Sequence, residues 1–110
     1  MRNILCLILL IYPFVSYSES SGARSITAIG CHKSDNTCFL SISGAPVGPA
    51  NCSSTSLRWN ETNDANGKAA LALLTTAFMA GKLVIFYVTD NACYTYQPNY
   101  PTFSYFNIAR

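Results

Sequence analysis

The sequence predicts a small, mostly β-sheet domain in which one helix lies between the third and fourth of five strands and two disulfides link the fold. Three observations lead to this prediction. A charge-free stretch at 69–81 has helical periodicity, strand-like runs lie before and after it, and four of the five cysteines lie beyond the N-terminal segment. The 110 residues suffice for one such domain and not for two.

The N-terminal segment is typical of a secretory signal peptide. Arg2 gives it a positive start, an apolar run follows from Ile4 to Val15, and small residues including Ser18 offer cleavage points. The run is shorter than the roughly 20 residues that a membrane-spanning helix needs. We therefore expect residues 1–18 to be cleaved, with the boundary between residues 18 and 23. Residues 19–110 would then form a single secreted or periplasmic domain without a membrane span.

Three short strands are predicted before the helix. Residues 25–30 form the first, with two isoleucines as apolar anchors, and residues 37–43 return as the second after a Ser-Asp-Asn turn. The segment 44–56 is rich in Gly, Pro and Ser, which favours a loop. Residues 57–60 form the third strand, which carries Trp59, the single tryptophan. We expect this side chain in the core rather than in a ligand-stacking position.

The cysteines outside the signal segment predict two disulfides. An even number in a short exported chain favours oxidised pairs, and four cysteines allow three connectivities. The preferred pairing joins Cys31 to Cys38 across a hairpin and Cys52 to Cys93 between two distant loops. The Cys31-His32 dipeptide also suggests a thiolate–imidazole or metal site, but a cysteine held in a disulfide can serve neither. We therefore expect no metal, no cofactor and no catalytic cysteine.

The helix is predicted to start near residues 62–64 and to continue through the charge-free stretch 69–81. The apolar residues with helical spacing are Leu71, Leu74 and Phe78. Asp64 is the expected cap of a helix that starts near residues 62–64, Gly67 should weaken the first turn, and Gly81 can end the helix in the left-handed conformation. Apart from two threonines the stretch has no polar side chain. We therefore expect its outer face to meet another chain, which makes a homo-oligomer the predicted state.

The segments after the helix complete an OB-fold. The branched and aromatic run 83–88 predicts the fourth strand, residues 90–102 form a loop, and residues 103–108 form the fifth strand. Three strands, a helix and two strands are the element order of this five-stranded Greek-key barrel.

Composition and loop chemistry favour binding over catalysis. The formal net charge is +2 and the charges are scattered, so the chain lacks the basic footprint of a nucleic-acid-binding protein. No acid–base pair or phosphate-binding glycine loop is recognisable, and we expect no enzyme activity. The candidate ligand-binding residues of the 90–102 loop are Tyr94, Tyr96 and Tyr100. Their rings could stack on sugars or anchor a protein, or could instead cover the end of the barrel.

Two further segments resemble a known family. FLSISG at 39–44 and AFMAGKLVIFYV at 77–88 are similar to small exported bacterial proteins related to the B subunits of subtilase cytotoxin and pertussis-like AB toxins. The resemblance spans about residues 38–93. It implies an OB-fold, a homopentameric ring with helices around a central pore, and binding of sialylated glycans on the side of the barrel. Ser25 matches a glycan-contacting serine of that family, whereas Val88 stands where the toxin subunits have a binding tyrosine.

The predicted function is therefore that of an exported, non-enzymatic binding module resembling an AB-toxin B subunit. It would recognise a glycan or other surface ligand, as a ring and with a possible exported A subunit. The alternatives are a periplasmic structural or interaction protein and a small secreted inhibitor, neither of which binds glycans.

Overall fold

A computed structural model describes residues 18–89 and 93–110. The predicted signal peptide lies outside these residues except for Ser18, and the first residues of the 90–102 loop, 90–92, also lie outside them. The described elements are β1 (Ser18–Cys31), β2 (Thr37–Ile42), β3 (Ser56–Asn60), helix α1 (Gly67–Ala80), β4 (Leu83–Thr89) and β5 (Tyr105–Ile108), with a short 3₁₀ helix at Ala50–Cys52.

The five strands form one antiparallel sheet in the order β3-β2-β1-β4-β5. The 14-residue β1 pairs with β4 through its first half and with β2 through its second half, and its register shifts once in each ladder. Such irregularities bend a strand and help a sheet to curl. Beside β3, the Arg58 N–H donates to the carbonyl of Pro101, four residues before β5, at 3.0 Å. The predicted mostly β, OB-fold-like architecture with its helix between β3 and β4 is confirmed.

Side chains that point into the barrel come from alternate positions of the strands. The largest fully buried side chains are Leu40, Leu57, Val84 and Phe86 on the strands and Leu74 on α1. Trp59 is 2 % exposed, and its indole N–H donates to the Gly67 carbonyl at 3.0 Å, so its predicted core position is confirmed. Because the indole N–H has a partner, the ring can be buried without an unpaired donor.

The start of the helix differs from the prediction. Helix α1 begins at Gly67 after Asn66, which is left-handed (φ 58°) and makes no side-chain cap. The expected cap role of Asp64 is wrong, because its Oδ2 accepts the Asn60 N–H at 2.9 Å and so closes the turn before the helix. A Cβ on Gly67 would lie 2.5 Å from the Asn60 carbonyl oxygen. The glycine is therefore needed for close backbone packing. Gly81 ends the helix in the left-handed conformation (φ 67°), as predicted.

The outer face of α1 is apolar over most of its length. Leu74 and Ala77 face the barrel, whereas Leu73 is 51 % and Met79 77 % exposed. The Thr76 hydroxyl donates to the Ala72 carbonyl within the helix at 2.8 Å. The helix therefore presents large apolar side chains to solvent. Residues 69–80 of the helix include no charged residue beside them.

Both predicted disulfides are present. Cys31 is bonded to Cys38, its direct partner across the β1–β2 ladder, and Cys52 is bonded to Cys93, 41 residues away in the chain. Disulfides form and persist in oxidising compartments, so they indicate an extracytoplasmic environment. Of the helices within residues 18–89 and 93–110, none is long and apolar enough to cross a membrane.

Candidate binding surface

The segment 93–102, here called the tyrosine loop, is anchored at both ends. Cys93 ties its start to Cys52, and Pro101 near its end accepts the backbone N–H of Arg58 on β3. The loop connects β4 to β5 and lies beside the outer face of β2 and β3. The covalent bond and the β3 contact hold the loop against this face.

Hydrogen bonds within the loop make it compact. The Tyr94 N–H donates to the Tyr100 carbonyl at 2.8 Å, and Gln97 bonds through its backbone to both of them. The Tyr94 side chain is 3 % exposed, and its hydroxyl shares a 2.7 Å hydrogen bond with Thr37 Oγ1. Tyr94 therefore stabilises the loop, and it offers no ring face to a ligand.

Tyr96 is the exposed aromatic residue of the loop. Its side chain is 60 % exposed. The ring edge packs on Tyr94, with centroids 5.5 Å apart and planes at 68°, and the hydroxyl accepts a hydrogen bond from Asn63 Nδ2 at 3.2 Å. The ring thus contacts Tyr94 and the hydroxyl contacts Asn63, while more than half of the side chain stays exposed to solvent. This arrangement lowers the conformational entropy lost when a ligand binds.

Tyr100 lies beneath the side chain of Arg58, which no sequence motif marked as a site residue. The Arg58 guanidinium carbon is 3.7 Å from the Tyr100 ring centroid and 5.1 Å from that of Phe39. Arg58 Nη1 donates to Gln97 Oε1 at 2.7 Å, and Nε donates to Ser56 Oγ at 3.2 Å. Cation–π contacts and neutral hydrogen bonds therefore hold the guanidinium in place.

Strand alternation could have located Arg58. Leu57 and Trp59 point into the core, so Arg58 between them must face outward, and the β2–β3 register places it opposite Phe39. None of its side-chain partners among the described residues is acidic. Its Nη2 has no described partner, and since no described buried side-chain nitrogen lacks a partner, Nη2 reaches solvent. What the sequence lacked was the loop position that brings Tyr100 and Gln97 onto the guanidinium.

Ser25 lies far from the tyrosines. Its backbone N–H donates to Ser43 Oγ at 3.0 Å, just beyond the last residue of β2. Tyr94 contacts Thr37, the first residue of β2. The five residue steps between the ends of β2 correspond to about 17 Å. Ser25 and the tyrosine loop therefore cannot belong to one small binding site.

A separate cavity of about 290 Å³ lies near the Ser25 end of the barrel. The residues that line it include Glu19, Ser20, Ser21, Arg24, Val47 and Val88. Arg24 Nη1 donates to the carbonyls of Ser43 (2.6 Å) and Ala45 (2.8 Å), so this cation fastens the β2–β3 loop. Val88, where the resemblance places a binding tyrosine, is 3 % exposed and supplies an aliphatic wall. The described residues that line this cavity therefore supply no aromatic platform.

His32 and Asp35 close the β1–β2 turn. His32 Nδ1 and Asp35 Oδ1 are 3.1 Å apart, and Asp35 also accepts the Thr37 N–H at 2.9 Å. The Thr37 hydrogen bond, with a smaller contribution from His32, lowers the pKa of the Asp35 carboxyl. Within residues 18–89 and 93–110 no three metal-binding side chains cluster. The pair therefore belongs to the turn.

The comparisons with known proteins add no relative. A scan against protein-family models, a search of curated proteins and a search of solved structures each returned no match for this chain.

Proposed function

We propose that this protein is an extracytoplasmic, non-enzymatic binding module that recognises a glycan, in the manner of an AB-toxin receptor-binding B subunit. The observation that supports the proposal is the preorganised aromatic surface formed by Tyr96, Tyr100, Arg58 and Phe39. The exposed Tyr96 ring is held by contacts with Tyr94 and Asn63. The Arg58 guanidinium is held against the rings of Tyr100 and Phe39.

The position of this surface supports oligosaccharide binding. OB-folds bind oligonucleotides and oligosaccharides on the face of strands 2 and 3, together with the loops between strands 1 and 2 and between strands 4 and 5. Phe39 and Arg58 lie on β2 and β3, and the tyrosine loop joins β4 to β5. The scattered charges of the chain favour the sugar over the polyanion.

The chemistry of the surface also suits a sugar. Aromatic rings stack on the apolar C–H faces of saccharides, and planar groups with several hydrogen-bonding atoms bind hydroxyl pairs. Tyr96 offers the exposed ring, while Gln97 and the free edge of Arg58 offer hydrogen-bonding groups beside it. Because the loop is already ordered, little conformational entropy is lost on binding.

Glycan-array binding of the purified domain tests the proposal through Tyr96. We expect Tyr96→Ala to weaken binding about tenfold or more, since a stacked aromatic contact is worth about 1–2 kcal/mol. Tyr96→Phe is the matched control, because it keeps the ring and removes only the hydroxyl bonded to Asn63. It should retain most of the affinity.

Two further results would contradict the proposal at this surface. Arrays that show no glycan bound by the wild-type domain would leave only the alternatives, a structural protein or a protein inhibitor. Glycan binding that resists Tyr96→Ala but is lost in Ser25→Ala would move the site to the far end of the barrel.

We further propose that the module assembles as a ring through the outer face of α1, with an exported A subunit as a possible partner. The support is the exposed apolar surface of Leu73 and Met79, which is unusual on a helix of a monomeric domain. Burying two such side chains against a neighbour would stabilise an assembly by several kcal/mol per interface, at about 2 kcal/mol for each side chain.

Analytical ultracentrifugation tests this assembly. We expect the wild-type domain to sediment as an oligomer at micromolar concentration, and Leu73→Glu/Met79→Glu to sediment as a folded monomer. The matched control is Thr76→Glu, which adds a charge to the same exposed face without removing an apolar contact and should weaken assembly less. A wild-type mass near that of one chain would contradict the proposal.

A further inference from the structure

A groove of about 620 Å³ lies where the barrel is open, between α1 and the segment that leads into β5. Residues 64–67, 69, 70 and Leu73 line one side, residues 102–106 line the other, and Trp59 also contributes. Most of these side chains are apolar, and Asp64 is the one charged residue among them. The groove is separate from the tyrosine-loop surface, and Leu73 is the one lining residue that also belongs to the α1 face proposed for assembly.

The first two residues of β5, Tyr105 and Phe106, line one side of the groove, and the unpaired edge of the strand continues from there to Ile108. Ala109, just after β5, donates its N–H to the carbonyl of Leu83 at the start of β4. Together with the β4–β5 register, this bond shows which β5 residues direct their main-chain groups toward β4. Main-chain groups alternate in direction along an antiparallel strand. Those of Phe106 and Ile108 therefore point away from β4. Consistently, the Phe86 amide opposite Phe106 points toward β1, where it donates to a serine hydroxyl.

The opposite edge of the gap has its hydrogen bonds in place. On β3 the Arg58 N–H bonds to Pro101, and the Asn60 N–H bonds to the Asp64 carboxylate. No described backbone group bonds to the outward N–H of Phe106 or Ile108. Among the described residues, the outward N–H groups of Arg58 and Asn60 on β3 are therefore paired, whereas those of Phe106 and Ile108 on β5 are not.

Apart from its short length of four residues, the β5 edge lacks the usual protection against strand pairing. Its sequence, Tyr-Phe-Asn-Ile, contains no charged residue and no proline, and Ile108 is 40 % exposed. Natural edge strands are normally guarded by lysine, proline, bulges or a covering loop. An unguarded apolar edge beside an open groove is typical of a site where another strand is added.

We propose that this groove binds an extended peptide of a protein partner by strand addition to β5. An extended chain supplies alternating N–H and C=O groups about 7 Å apart, the repeat at which Phe106 and Ile108 present theirs. Alternate apolar side chains of the peptide enter the groove near Leu73. A basic residue of the peptide lies near Asp64, whose charge no basic residue lining the groove balances.

Selection from a displayed library of random dodecapeptides tests the proposal. The bait is the wild-type domain, and the counter-bait is Ile108→Pro, which removes one outward N–H at an edge position where proline is tolerated. We expect enriched peptides to alternate apolar and polar residues and to carry lysine or arginine at one end. Synthetic copies should bind Ile108→Pro about tenfold more weakly than wild type, which is the loss of about one hydrogen bond.

Matched variants separate main-chain pairing from other causes. Ile108→Val keeps the N–H and should bind like wild type. Asp64→Asn keeps the acceptor for Asn60 and should weaken peptides with a terminal lysine but not their glutamine analogues. An added strand bonds to β5 through every second amide only. Of two peptides N-methylated at the odd or at the even amides, one should therefore lose binding and the other should keep it.

Three outcomes would overturn the proposal. The first is an absence of enrichment over the Ile108→Pro bait, and the second is peptide affinity that N-methylation in either register leaves unchanged. The third is self-association of the wild-type domain that Ile108→Pro abolishes and Leu73→Glu/Met79→Glu does not. The β5 edge would then pair with a second copy of the chain. Glycan binding should persist in Ile108→Pro, so this test is independent of the tyrosine loop.

Discussion

Replacing both Cys52 and Cys93 with serine is expected to lower the free energy of unfolding by about 4 kcal/mol. The disulfide joins residues 41 apart, and in the chain-entropy model a loop of that length restricts the unfolded chain by about this amount. For a small domain this is a large share of the total stability. Urea denaturation of the oxidised wild type and the double variant measures the difference.

The second disulfide is the internal control for this prediction. Cys31 and Cys38 are only seven residues apart, so replacing both with serine should cost about 2.5 kcal/mol in the same model. A larger loss from the Cys31–Cys38 pair would contradict the loop-entropy explanation. The Cys52/Cys93 variant should also lose glycan affinity under conditions where it is still folded, because Cys93 anchors the tyrosine loop.

Gly67→Ala is expected to destabilise the domain by about 3 kcal/mol, the upper end for overpacking. Helix propensity alone predicts the opposite sign, since alanine is favoured over glycine by about 1 kcal/mol. The added methyl group would lie 2.5 Å from the Asn60 carbonyl oxygen and 2.7 Å from the Glu61 Cα. Both are backbone atoms, so neither can rotate away.

Gly81→Ala is the matched control for this substitution. Gly81 has a positive φ, but no heavy atom lies within 4 Å of the position that its Cβ would take. We expect a cost of about 1 kcal/mol from the left-handed backbone alone. Thermal or urea denaturation of both variants measures the stability that each substitution costs. A Gly67→Ala domain as stable as wild type would show that the turn at residues 60–61 can shift to admit a side chain.

The order and type of the elements could be predicted from the sequence because they depend on local patterns. The period of Leu71, Leu74 and Phe78 predicted the helix, and Gly81 predicted its end. The core position of Trp59 was also foreseen. The number and spacing of the cysteines favoured the observed pairing. In each case the physical cause lies within a few residues or in a count that the chain itself supplies.

The start of the helix could not be predicted in the same way. Asp64 has the chemistry of a helix cap, but its carboxylate accepts the Asn60 N–H at the end of β3. Gly67 resembled a weak point, because its requirement comes from Asn60 and Glu61 packed against it. Both errors have one cause: the β3–α1 turn folds back on the helix, and the contacts that result are not visible in the helix pattern.

At the candidate binding surface, the sequence and the tertiary structure supplied different information. The sequence by itself showed that the predicted 90–102 loop is rich in tyrosine, and it led to the prediction of a glycan ligand, which stays a prediction. Only the tertiary structure decided that Tyr94 is buried on Thr37, that Tyr96 is exposed, and that Arg58 stacks on Tyr100. Three tyrosines with the same local chemistry differ because each meets a different strand or loop that is distant in the chain. Those long-range contacts are the part of the fold that no local pattern encodes.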